Sequence, residues 1–319
     1  METPVLLFIV GFIILISSAR LLVKGAISIA RILRISTWII GIAIVGIGTS
    51  IPELSISISS VFAGNNVGLG AIIGGNTFNL LMILGLVAFF SPVYVRKEWY
   101  KDIFINIGAV LIAVLTILYP LFGNNFGGDF VGITQVEGGV LLALFFVWFI
   151  SMLKRDVVED DGIDYQIFTA FASSVMIGVG IIGVFVGGHW VVSGAEAIAL
   201  FFSVPPAVIG LTIVGVGTSL PELVVSLVAL VNGQREIAVG NIIGSNVFGF
   251  LGILGITGLV KPLPVLESIQ SDALIAVLAS VVVAVLVLFV GKRGILSRAE
   301  GVFLILTYIA YLFFILTGI

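Results

Sequence analysis

Residues 41–54 and 210–223 carry one pattern twice. Gly41, Gly46, Gly48, Thr49, Ser50, Pro52, Glu53 and Leu54 are matched by Gly210, Gly215, Gly217, Thr218, Ser219, Pro221, Glu222 and Leu223 at a constant offset of 169. Upstream, Gly25 meets Gly194 at the same offset. Downstream, the run from Gly70 through Gly74, Gly75 and Asn76 to Asn79 meets Gly240, Gly244, Ser245, Asn246 and Gly249 at an offset of 170, so the second copy has one extra residue in its connecting turn. The duplication constrains the fold severely. One local structure has to be built twice, and each copy has to house a carboxylate next to a proline inside an apolar run. A proline there cannot donate to the carbonyl four residues back, Gly48 in the first copy, so free carbonyl oxygens are expected beside each glutamate.

The chain is 60% hydrophobic and 10% charged over 319 residues, a balance foreign to soluble domains. Apolar runs long enough to span a bilayer fill nearly all of it. The expected fold is an all-α polytopic membrane protein with ten transmembrane helices near 4–23, 37–63, 68–90, 102–121, 134–153, 167–188, 206–231, 237–260, 271–290 and 300–318. The first run is read as a retained span rather than a cleaved leader, because Glu2 precedes it and Arg20 and Lys24 follow it. The absence of cysteine and the single His189 exclude thiolate and multi-histidine metal centres.

Sorting the basic residues tests the count. With the N-terminus outside, thirteen of the fourteen Lys and Arg fall on the cytoplasmic side and only Lys261 stays outside, which supports ten helices with both termini outside, in the plasma membrane. The chain then divides into a five-helix repeat over 1–153, an acidic cytoplasmic linker over 154–166 and a second repeat over 167–319. Five is odd, so the second repeat enters the bilayer from the opposite side. Inverted repeats with Gly/Pro-interrupted helices at matching positions are the mark of a secondary transporter with a midplane site.

Glu53 and Glu222 are expected to meet at that midplane with the hydroxyls of Thr49, Ser50, Thr218 and Ser219. Intramembrane carboxylates are costly and functional by default. The set offers hard oxygen ligands, which suits Ca²⁺ and Na⁺ and argues against zinc, copper or iron. Close helix packing is the simpler account of Gly41, Gly210, Gly74 and Gly244. Asn79 fits interhelical bonding and ion ligation equally. His189 and Glu196 are read as lying near outer helix ends, Asp160-Asp161 as a solvated loop face, and Trp38, Trp99 and Trp190 as interface anchors.

The paired Gly-x-Gly-Thr-Ser-x-Pro-Glu motifs, with Gly-Ser-Asn at 244–246, resemble the alpha repeats of the cation/calcium exchanger superfamily, in the form of its sodium/calcium exchanger branch. The resemblance implies a Ca²⁺/Na⁺ antiporter. In it Glu53 and Glu222 are shared by both ions, Thr49 and Thr218 give backbone oxygens to Ca²⁺, and Ser50, Ser219, Ser245, Gly46 and Gly215 serve Na⁺. Asn79 is the polar residue of the third helix, and helices 1 and 6 slide across the core to alternate access. Two departures stand out: Gly75 where the motif has serine, and Gly249 where relatives carry Asp or Asn. The residues leave H⁺ open as the driving ion. A channel lacks support without a continuous polar pore, and an intramembrane hydrolase lacks a nucleophile–base pair, so the chain is not read as an enzyme. No cofactor is expected beyond the transported ions, no nucleic acid, and no partner other than the bilayer; a monomer suffices for transport.

Overall fold

An apolar run without proline has nothing to stop it at the width of a bilayer. In the computed structural model, which describes residues 2–118, 132–154, 167–203, 215–265, 267–290 and 294–317, helix α1 spans Glu2–Leu33. It therefore passes the end expected near residue 23. Arg20 and Lys24 ride on its exposed face, where long basic side chains can reach polar surroundings without breaking the helix. The chain turns at Arg34, whose φ of 54° is left-handed. The later helix α7, Ala170–Phe201, is likewise longer than expected; Thr169 caps it by accepting from the Ala172 N–H. His189 thus lies well inside a continuous helix rather than near its end, and Glu196 lies five residues before the helix end at Phe201; both are exposed.

Between these come α2 (Thr37–Thr49) and α3 (Ile51–Ala63), bent by 42° at their junction, then α4 (Val67–Phe90), α5 (Lys97–Leu118) and α6 (Gln135–Leu153). After α7 follow α8 (Leu220–Val231), α9 (Arg235–Val260), α10 (Glu267–Phe289) and α11 (Arg298–Thr317). Among the described residues eight helices are long and apolar enough to cross a membrane, nine if the bent pair α2–α3 is one span. The expected span 206–231 is represented by α8 and a helical turn at Gly215–Gly217; residues 206–214, Gly210 included, lie outside the described residues. So do residues 155–166 of the acidic linker with Asp160-Asp161. The protein is a multi-pass membrane protein.

Contacts divide the chain into two compact units that each draw on both sequence halves. The first comprises Met1–Thr49, Met152–Gly244 and Ala310–Ile319. Its frame is the antiparallel pair α1 and α7, which approach through glycines. A Cβ on Gly11 would stand 2.8 Å from the Val191 nitrogen, and one on Gly180 would stand 2.8 Å from the Leu22 nitrogen. Gly25 meets the Ser173 carbonyl as Gly194 meets that of Pro4, at 2.9 and 2.8 Å. Every partner in these two pairs of contacts is exchanged by the offset of 169. Small residues that let backbones touch are how helices associate where both lipid and helix are apolar. Gly41 and Gly244 pack in the same way, against Ile237 and Ile42 respectively, whereas no described atom lies within 4 Å of a Cβ at Gly74.

The second unit comprises Ser50–Ser151 and Ser245–Ile309. Two antiparallel two-residue ribbons tie its helix ends, β1 (Val93–Tyr94) with β4 (Ile295–Leu296) and β2 (Gly132–Ile133) with β3 (Leu263–Pro264). The registers Val93 to Leu296 and Leu263 to Ile133 are again interchanged between the sequence halves. The helices that leave these ribbons start with matching capping boxes, a hydroxyl residue followed three positions later by glutamate. Thr134 N–H donates to Glu137 Oε2 at 2.8 Å, and Ser297 N–H donates to Glu300 Oε2 at 2.5 Å. Trp99 is buried in this unit and Trp38 in the first, at 5% and 3% exposure, so both pack into protein rather than anchoring at a lipid interface. Trp190 is half-buried in the interior of α7.

Candidate functional site

Proline is tolerated in the first turn of a helix because its missing N–H would find no intrahelical partner there anyway. Both copies of the motif use this. Ser50 leaves the helical region at φ −88°, ψ 10°, and Pro52 then sits in the first turn of α3; Ser219 does so at φ −94°, ψ 7°, with Pro221 in the first turn of α8. The N–H of Leu54 returns to the Ser50 carbonyl and that of Leu223 to the Ser219 carbonyl, at 3.2 and 3.1 Å. The result is a helix start deep within an apolar run, with Glu53 and Glu222 each in the first turn. A helix N-terminus favours negative charge, so each carboxylate gains stabilisation from its own backbone. Both are buried, Glu53 at 7% and Glu222 at 1% exposure.

The first unit holds Gly46, Thr49, Gly215, Thr218, Ser219 and Glu222. It brings Thr49 and Glu222 together through Asn241, a residue of α9 that is fully buried. The Thr49 hydroxyl donates to Asn241 Oδ1 at 3.1 Å, with the Gly46 carbonyl 3.3 Å away. Asn241 Nδ2 donates to the Glu222 backbone carbonyl at 3.1 Å and to Ser226 Oγ at 2.9 Å. Sequence reasoning missed Asn241. Its signal was an asymmetry: the repeat position it fills is Ala71 in the first half. Thr218 Oγ1 and Ser219 Oγ are buried atoms that no hydrogen bond uses among the described residues.

The second unit holds Ser50, Glu53, Asn79 and Ser245. Helix α3 packs against α4 and against a wide π-helical turn of α9 at Phe248–Ile253. A matching wide turn interrupts α4 at Asn79–Ile83, so Asn79 and Gly249 both sit where the ladder loosens. Such turns cluster at functional positions. Among the described residues, Asn79 Oδ1, Asn76 Nδ2 and both side-chain polar atoms of Asn246 are buried without a hydrogen bond. Asn76 and Asn246, matched at the same position of the two repeats, were aligned in the sequence comparison but given no role there. Buried polar atoms are nearly always satisfied, so the orphaned amide oxygens call for a cation or water and the orphaned amide nitrogens for water or another acceptor. The donor set is carboxylate, hydroxyl and amide, without sulfur or imidazole, and suits hard cations.

Comparison with known proteins agrees with this chemistry. The family model described as sodium/calcium exchanger protein matches residues 3–154 and 172–317. The sodium/calcium exchanger MaX1 of Methanosarcina acetivorans is 29% identical over 353 residues, covering 96% of this chain and 97% of that protein. An uncharacterized membrane protein of Methanocaldococcus jannaschii is 33% identical over 304 residues, covering 95% and 94%. Among solved structures, the sodium-calcium exchanger NCX_Mj soaked with zero Na⁺ and Ca²⁺ matches with a TM-score of 0.82 at 30% identity, covering 97% of both chains. With a helix start and a buried glutamate built twice, and the family model spanning both halves, the chain belongs to the sodium/calcium exchanger protein family.

Proposed function

We propose that this protein is a Na⁺-driven Ca²⁺ antiporter in which Glu53 and Glu222 together hold the transported cation at a midplane site that opens in turn to the two sides of the membrane. The observation that carries the reading is the duplicated helix start, with near-identical backbone angles at Ser50 and Ser219 and a buried first-turn glutamate three residues after each serine. Two such carboxylates sharing a low-dielectric site repel, and Ca²⁺ or Na⁺ relieves that repulsion. Thr49, Ser50, Thr218, Ser219, Asn79, Ser245 and the backbones of Gly46 and Gly215 supply the remaining oxygens.

The exchanged contacts of α1 with α7, and of the four short strands, support two inverted five-helix repeats over 1–153 and 167–319. Family membership supports exchange rather than a channel or a hydrolase. The distribution of Lys and Arg supports both termini outside the plasma membrane. Alternating access is carried over from the family resemblance: α1 and α7, held to each other by close glycine contacts, slide across the core.

The test is ⁴⁵Ca²⁺ uptake into proteoliposomes under an outward Na⁺ gradient with pH clamped. Uptake that follows the Na⁺ gradient is expected. Uptake that ignores Na⁺ and follows an imposed pH gradient assigns the coupling to H⁺ instead.

A further inference from the structure

Charge is costly on a helix face that meets lipid, yet α1 carries two cations there. Leu6, Ile9, Ile13, Ser17, Arg20 and Lys24 are all exposed and recur at the three- and four-residue spacing of one helix face. Beyond Lys24 the stripe ends, since residues 25–30 are buried on every side. The depth of the two cations follows from the seam with α7. Gly11 meets Val191 and Leu22 meets Gly180, and the offset of 169 exchanges one contact for the other. The exchange axis therefore crosses α1 between Ile16 and Ser17. In inverted repeats that axis lies in the membrane plane, so it marks the midplane. At about 1.5 Å per residue, Arg20 stands about 5 Å and Lys24 about 11 Å to the cytoplasmic side of it. Both fall short of the hydrocarbon boundary, about 15 Å from the midplane, and any tilt of the helix brings them closer to the centre. Helical side chains also lean toward the N-terminus, which for α1 is away from the cytoplasm.

We propose that Arg20 and Lys24 bind the phosphate of an anionic phospholipid of the cytoplasmic leaflet, held on the exposed face of α1. Among the described residues neither side chain makes a hydrogen bond or ion pair. Residues four apart on a helix are neighbours, so both side chains reach one anion. The guanidinium fork matches phosphate oxygens and the ammonium adds a point charge. An anion at this depth arrives with apolar chains, and the same stripe receives them: from a head group at Arg20 and Lys24 they run toward the midplane over Ile13 and Ile9. The matching positions on α7 are His189 and Ser193. Two permanent cations are therefore built only into the cytoplasmic copy, on the side where anionic lipids gather. The depth rests on the inverted repeats and the orientation proposed above, and not on which ion drives exchange.

The experiment titrates phosphatidylglycerol, and separately the zwitterionic phosphatidylcholine, onto the full chain in detergent, read by native mass spectrometry and melting curves. The native chain is expected to hold phosphatidylglycerol about thirtyfold more tightly, the effect of two basic side chains at an anionic membrane, and to melt higher in its presence. Arg20→Gln/Lys24→Gln is expected to lose that preference. Arg34→Gln/Lys101→Gln, which removes two exposed cations elsewhere, is expected to keep it. Lys24→Gln alone is expected to cut it about fivefold. Excess inorganic phosphate is expected not to compete, because it brings no acyl chains to the stripe. A native chain without the preference, a folded double variant that keeps it, or an equal loss in the control variant would overturn the proposal. So would displacement by inorganic phosphate, which assigns a free anion instead. If the double variant does not fold, an undiminished preference in Lys24→Gln overturns it alone.

Discussion

Asn241 offers the sharpest quantitative test, because its contacts lie in one unit and its repeat counterpart is an alanine. Asn241→Ala removes the acceptor of the Thr49 hydroxyl and the donor to both the Glu222 carbonyl and Ser226 Oγ. The losses are unequal. Thr49 retains the Gly46 carbonyl at 3.3 Å, and Ser226 still donates to the Ala238 carbonyl at 3.2 Å, so only the Glu222 carbonyl loses a partner outright. Interhelical hydrogen bonds in membrane proteins average about 0.6 kcal/mol and reach about 1.7 kcal/mol. One full loss with two partial ones amounts to about 1–3 kcal/mol on that scale, too little to unfold the chain. The assay is equilibrium unfolding in mixed micelles, with a double-mutant cycle on Thr49→Val and Asn241→Ala. A coupling of about 0.5–1.5 kcal/mol is expected. Ca²⁺ exchange should slow as well, because the carbonyl of the site glutamate is no longer tethered. Additivity in the cycle together with native exchange would refute the bridge from Thr49 to Glu222.

Glu53→Gln and Glu222→Gln should each abolish Ca²⁺ exchange while the protein purifies folded, since a neutral amide is cheaper to bury than a carboxylate; exchange at the native rate in either variant counts against the site. Gly249→Asp should push the Asn76 amide aside, since a Cβ there meets its Nδ2 at 2.4 Å, and change the Na⁺ dependence or pH profile of Ca²⁺ exchange; both unchanged in an active variant would show that position 249 does not face the ion site. Gly187→Leu should disrupt α1 against α7, since even a Cβ there stands 2.5 Å from the Leu15 nitrogen, and a native melting curve would contradict the glycine seam.

The bend between α2 and α3 was legible because proline leaves one physical option inside an apolar run, and the repeat announced it twice. Helix lengths were less so. Hydropathy marks where a chain can cross a bilayer, but a helix ends only where something stops it. Nothing stops α1 before Arg34, and basic side chains within it need not break it. The wide turns at Asn79–Ile83 and Phe248–Ile253 left no compositional trace, since they are hydrogen-bonding choices made by tertiary packing. The tryptophans were misplaced for a similar reason: a Trp at a helix end in sequence can face lipid or protein, and Trp38 and Trp99 face protein. Asn241 was hidden because its importance lies in a partner far along the chain, Thr49.

The central claim is that Glu53 and Glu222 share a cation. Crystals of the protein soaked separately in Ca²⁺ or Sr²⁺ and in Na⁺ test it by anomalous and ion-resolved density. The account predicts one divalent ion with an oxygen of each glutamate at about 2.3–2.6 Å, displaced when Na⁺ replaces it. A divalent ion bound to only one of the two carboxylates, or to neither, would contradict it.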